Sequence, residues 1–98
     1  MAKLTIIATI VAKPGCETHV QQVLLDLIPL TRAEAGCIAY DLHQDLDKPG
    51  VFVFVETWEN RELHAIHMQS PHLTAFPGRV DGEVESWDVK SMAVIGSF

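Results

Sequence analysis

The sequence predicts an α+β domain of the ferredoxin-like class, a four-stranded antiparallel sheet with elements in the order β-α-β-β-α-β. Three observations predict it. Four segments have strand-like composition; one long helical stripe follows the first of them; and a hairpin signal joins the second and third, with an interrupted helical segment before the fourth. Ninety-eight residues make one domain, 1–98, able to bury a core with little surplus.

The elements can be justified in order. KLTIIATIVAK (3–13) is rich in β-branched residues. Leu4, Ile6, Ala8 and Ile10 point one way, and Thr5, Ile7, Thr9 and Val11 the other. Pro14-Gly15 is a turn. From Glu17, a helical stripe runs through Val20, Val23, Leu24, Leu27 and Ile28. Pro29 lacks an N–H and should kink this helix or end its first section; Thr31 to Ala35 can resume it, and Gly36 stops it. Residues 37–46 alternate, with Ile38, Tyr40 and Leu42 opposite Cys37, Ala39, Asp41 and His43. DLDKPG (45–50) is a hairpin loop. VFVFVETW (51–58) is a third strand, apolar on both faces. Asn60 caps a second helix running through Ile66 and His67, with Leu63, Ile66 and His67 the candidate stripe toward the sheet. Ser70-Pro71 opens a short helix over His72 to Phe76, ended by Pro77-Gly78. EVESWDVKSMAVIG (83–96) closes the chain as a long strand, bulged around Ser91.

Two helices cover only one face of such a sheet, yet the first and third strands are apolar on both. An open face of that size predicts a cover, and a second copy packed sheet to sheet is the simplest one. The expected assembly is a homodimer through the open sheet face.

Several functions are disfavoured. Seven basic against thirteen acidic residues give a net charge of -6, and no basic cluster tracks a phosphate backbone, so nucleic acid is not an expected partner. The apolar runs fall far short of the ~20 residues that span a bilayer. Met1-Ala2-Lys3 leads straight into a strand, which predicts no signal peptide and a cytoplasmic protein. Cys16 and Cys37 fit neither a metal spacing nor a disulfide framework. No glycine-rich phosphate loop and no GxSxG elbow occurs.

The chemistry-bearing residues gather between 34 and 72. Glu56 interrupts the most apolar strand, on the face of Phe52, Phe54 and Trp58. A carboxylate there is either paired in a structural network or an acid/base group with a raised pKa. His67 on the second helix is either a proton-transfer group or a histidine that simply bonds a backbone carbonyl. His72 either orders a helix start or contributes to a pocket. His43 and His64 read as surface or trim. Tyr40 and Trp58 fill the core or wall a planar ligand. His64, His67 and His72 have spacings that ligands can use, but no convergent carboxylate motif accompanies them, so no metal is expected.

These stretches resemble the antibiotic biosynthesis monooxygenase family, which includes quinol monooxygenases. The resemblance runs from the first strand to about Phe76 and is carried by AKPG (12–15), TRAEAGCIAYDLHQD (31–45), FVFVETW (52–58) and HMQSPHLTAF (67–76). It implies a dimeric α+β barrel with a pocket between helices and sheet, and the last strand reaching toward the partner. It also implies oxidation of a quinol-like or polycyclic aromatic molecule by O2 without a cofactor. His67, Glu56 and Tyr40 would then be catalytic, and Trp58, His72, Phe54 and Arg32 would bind substrate. The chain departs from branches with an asparagine on the first strand, because Asn60 is its only Asn. A non-redox isomerase of the same fold, with an arginine on a phosphate, and a non-catalytic small-ligand binder are the alternatives.

Overall fold

The computed structural model describes residues 3–97. Met1 and Ala2, where the sequence predicts no leader, lie outside the described residues. The elements are β1 (Leu4–Ala12), α1 (Glu17–Arg32), β2 (Cys37–Gln44), β3 (Val51–Trp58), α2 (Arg61–Met68), α3 (Pro71–Arg79) and β4 (Val84–Met92). The strands form one sheet in the order β2-β3-β1-β4, with every pairing antiparallel. This is the ferredoxin-like topology, with the second helix split in two.

β1 and β3 are the two central strands, and their side chains alternate about the sheet as the period of two dictates. One face carries Ile6, Ala8, Ile10, Phe52, Phe54 and Trp58, all buried under the helices. Val20, Val23, Leu24 and Leu27 of α1 and Leu73 and Phe76 of α3 close over it. Each large apolar side chain buried there contributes about 1.5–3 kcal/mol relative to exposure. The opposite face carries Thr5, Ile7, Thr9 and Val11 with Val51 and Val53, all half-buried, and Val55, which is exposed. Among the described residues no helix covers that face.

Local differences from the sequence expectation have physical causes. α1 passes Pro29 and ends at Arg32, because Pro29 lies in its last turn and the buried Leu27 and Thr31 anchor both sides of it. Glu34 therefore lies in a turn rather than in a resumed helix. Gly36 takes φ +86, as a helix stop requires. A Cβ at that position would run into the Leu63 side chain, so glycine also lets α2 press against this turn. A bulge between Cys37 and Ala39 rotates Ile38 out of Tyr40's face. Tyr40 is buried and Ile38 is 48% exposed.

α2 is capped by Asn60, whose Oδ1 accepts from the Leu63 N–H at 2.9 Å. His67, not Ile66, is the buried residue of its inner side, and Ile66 is 63% exposed. α3 runs through Pro77 to Arg79, held by the buried Phe76 and Val80 on either side of the missing N–H. The β4 irregularity falls at Glu85, opposite Val11 and Ala12, not around Ser91, and β4 stops at Met92. Among the described residues no helix is long and apolar enough to cross a membrane.

Candidate active site

β3 places Glu56 between Phe54 and Trp58 on the helix-covered face, and its register partners are Ile6 on β1 and Tyr40 on β2. The carboxyl is buried, and Trp58 Nε1–H donates to its Oε1 at 2.8 Å. Burial pushes the pKa of Glu56 up from 4.5 to about 7, against the Trp58 hydrogen bond and helped by the charge of Glu34. Tyr40 stacks on Phe54, with ring centroids 4.4 Å apart. Burial first, then Glu56, keeps its phenol protonated far above the ordinary range.

His67 reaches the same place from α2, and it is 1% exposed. Its ring lies 4.7 Å from the Trp58 ring and edge-on to Tyr40 at 5.7 Å. Its Nδ1 lies 2.6 Å from Glu34 Oε2. Two influences oppose each other on this ring. Burial disfavours the imidazolium, while the bond and charge of Glu34 favour it; burial wins, and the pKa is lowered. The neutral ring then donates Nδ1–H to Glu34, which fixes the tautomer and leaves the Nε2 lone pair as the basic site.

Glu34 also receives His72, whose Nε2 lies 3.0 Å from the same Oε2. Thr31 Oγ1 and Ser70 Oγ lie 3.2 and 3.3 Å from that nitrogen. Three chain segments are thus tied together: the end of α1 with its following turn, α2, and the start of α3.

A narrow cavity of about 30 Å³ opens between helices and sheet, lined by Tyr40, Phe54, Glu56, His64 and His67 and flanked by Trp87 and Val89 of β4. That is about the volume of one water molecule, so a ring-sized ligand enters only if the walls part. Trp87 and Val89 share the face of Ala8 and Ile10, yet both stay more than a third exposed. Trp87 meets Phe76 edge-on at 4.8 Å.

Of the residues singled out in the sequence, His67, Glu56, Tyr40 and Phe54 line one cavity. Trp58 stands behind, holding Glu56 and backing His67. His72 flanks the cavity through Glu34. Arg32 does not join them: its guanidinium is exposed and pairs with Asp41 at 3.1 Å. His43 is exposed, as read. His64 is not trim, since it lines the cavity and its Nε2 is buried without a hydrogen-bond partner; burial and then His67 lower its pKa.

Sequence reasoning missed Glu34, Thr31 and Trp87. It sought a carboxylate near the histidines along the chain, but Glu34 is 33 positions from His67 and meets it only in the fold. The available signal was its place two residues before a left-handed glycine, where a turn fixes the side chain's direction. Trp87 was legible only by parity with Val89 on the fourth strand.

Comparison with known proteins follows the same lines. Residues 3–78 match the family model described as antibiotic biosynthesis monooxygenase. The chain is 30% identical over 99 residues to the probable quinol monooxygenase YgiN of Escherichia coli K12, covering 89% of this chain and 93% of that one. The crystal structure of PA3566 from Pseudomonas aeruginosa is similar with a TM-score of 0.92 at 30% identity, covering 98% of this chain and 97% of that one. The structure of Rv0793 from Mycobacterium tuberculosis is similar with a TM-score of 0.89 at 27% identity, covering 98% of each chain.

Proposed function

The chain belongs to the antibiotic biosynthesis monooxygenase family, and from that premise we propose that it oxidises a quinol-like or polycyclic aromatic molecule with O2, using the substrate's own electrons. The observation that carries the reading is the His67 imidazole, pinned at Nδ1 by Glu34 and lining a cavity whose other walls are mostly apolar. In this mechanism His67 Nε2 removes the proton of a phenol or activated C–H. The resulting anion donates electrons to O2, and a C–O bond forms to give a hydroperoxide. Loss of the remaining proton on that carbon breaks the O–O bond. One oxygen stays as a carbonyl, the other leaves as water, and the substrate carbon supplies all four electrons. Tyr40, held protonated, is a donor for the developing oxyanion, and the apolar walls of Phe54 and Leu73 exclude water.

Oxygen-electrode traces test this directly. With a reduced naphthoquinol, uptake is expected to exceed autoxidation in proportion to enzyme. Uptake equal to the spontaneous rate across a panel of quinols overturns the reading. One observation favours a second, non-redox reading. Glu56, with a pKa of about 7, and His67 line one cavity and form an acid/base pair suited to enolisation. Deuterium exchange into a ketone ligand without oxygen uptake would select that alternative.

We also propose that the working unit is a homodimer formed through the open sheet face, in the reducing cytoplasm. The apolar Ile7, Val11, Val51, Val53 and Val55 on that face support the dimer, and the two free cysteines are in keeping with the compartment. Light scattering at micromolar concentration should give about twice 10.9 kDa. A mass near 10.9 kDa would overturn the dimer.

A further inference from the structure

We propose that Glu34, His67 and His72 form a binding site for a divalent transition-metal ion of the zinc class, and that loading it switches the His67 base off. The donors come from the turn after α1, the last turn of α2 and the first turn of α3. One donor atom from each residue lies within 4.8 Å of the other two. A tetrahedral ion with bonds of about 2.0–2.2 Å sets its donors about 3.4 Å apart. The present separations from Glu34 Oε2, 2.6 Å to His67 and 3.0 Å to His72, are shorter than that value, and the donors all lie within 4.8 Å of one another. Rotation of the three side chains would open the two short separations and admit the ion.

The imidazole nitrogens of His67 and His72 meet Glu34 Oε2 through hydrogen bonds whose protons a cation would displace. His72 Nε2 faces three oxygens, from Glu34, Thr31 and Ser70, with at most one proton to give. If it carries the proton, the two hydroxyls cannot donate to it. If it carries the lone pair, that pair points at a carboxylate oxygen. An ion between Glu34 and the two imidazoles would take the place of that proton, with the Thr31 and Ser70 hydroxyls beside it. Two imidazoles and one carboxylate are a donor set for zinc-class ions, with a fourth position left for water, and a poor set for magnesium or calcium. The His67 side chain is 2% exposed and that of His72 is 13% exposed, so the site is sheltered but can be entered from the His72 side.

An ion on His67 Nδ1 takes the lone pair there, so the ring proton must sit on Nε2 and the base facing the cavity is lost. This consequence rests on the role proposed for His67. The binding itself does not.

The test is a Co2+ titration followed in the visible, where four-coordinate cobalt absorbs intensely, on the full-length protein. One saturating equivalent is expected. Glu34→Gln and His72→Asn should weaken it at least about 100-fold, since loss of an outer partner alone costs 10–100-fold. His19→Ala, which opens the exposed His19–Glu83 pair, should leave it unchanged. No saturable band, or a band of equal affinity in both site variants, overturns the site. Should Glu34→Gln fail to fold, His72→Asn decides alone, with a thermal melt confirming its fold. Zn2+ should abolish quinol-dependent oxygen uptake and a chelator should restore it; binding without inhibition overturns the switch and leaves the site. If no quinol is turned over at all, the cobalt band still reads the site, so the two failures are separable.

Discussion

Replacing His67 with alanine is expected to lower kcat/KM for oxygen-dependent quinol oxidation by about 100-fold or more, the range typical for loss of a positioned general base. Most of the loss should appear in kcat, because the imidazole acts on the proton in flight and contributes little to holding an aromatic ring. The variant removes a buried ring that touches Trp58 and Tyr40, so a thermal melt must accompany it. Added imidazole provides the sharper control. It should enter the vacated space and restore a measurable fraction of kcat, which repacking of a merely structural histidine would not allow. Glu34→Gln should cost less, about 10-fold, because the amide oxygen can still accept from Nδ1–H while the charge that stabilises the imidazolium is gone. Undiminished turnover in His67→Ala would remove this histidine from the chemistry.

The second large effect concerns stability. Glu56 has a folded-state pKa of about 7 against an ordinary 4.5, because it is buried. A carboxyl raised in this way binds its proton more tightly in the native state than in the unfolded chain. Its contribution therefore favours the fold at low pH and declines as pH rises from 4.5 toward 7. The full shift corresponds to roughly 3 kcal/mol. Urea titrations at pH 5 and pH 8 should show the wild type losing up to that amount across the interval. Glu56→Gln should flatten the dependence and be the more stable protein at pH 8, since a glutamine oxygen can still accept from Trp58 Nε1–H. Equal pH slopes in the two proteins would mean that the Glu56 proton is not linked to folding. A protein that keeps this ionisable group at a stability cost near neutral pH fits a group used for function.

Much of the fold was legible because its signals are local. The alternation in β1 and β3, the apolar stripe of α1 and the Asn60 cap all act over a few residues, and each appears where the sequence puts it. The two helix-interior prolines were misread for one reason. Proline's missing N–H is a local cost, while the burial that outweighs it, at Thr31 and at Phe76 and Val80, is tertiary. The Cys37–Ala39 bulge was invisible for the same reason, since it depends on the partner strand. For the candidate site, Glu56 stood out as a charge in an apolar run. Glu34 did not, because nothing within its neighbourhood of the chain says that two histidines will arrive there.

That long separation also sets when competence can appear as the chain folds. Hairpin and sheet pairing can be complete while His67 still carries its proton on either nitrogen. The tautomer is chosen only when α2 closes onto the turn at Gly36 and Glu34 meets the ring from 33 positions away. Without that docking step the ring would have no partner to fix its proton. On the role proposed for His67, the base is thus directed only in the fully docked molecule.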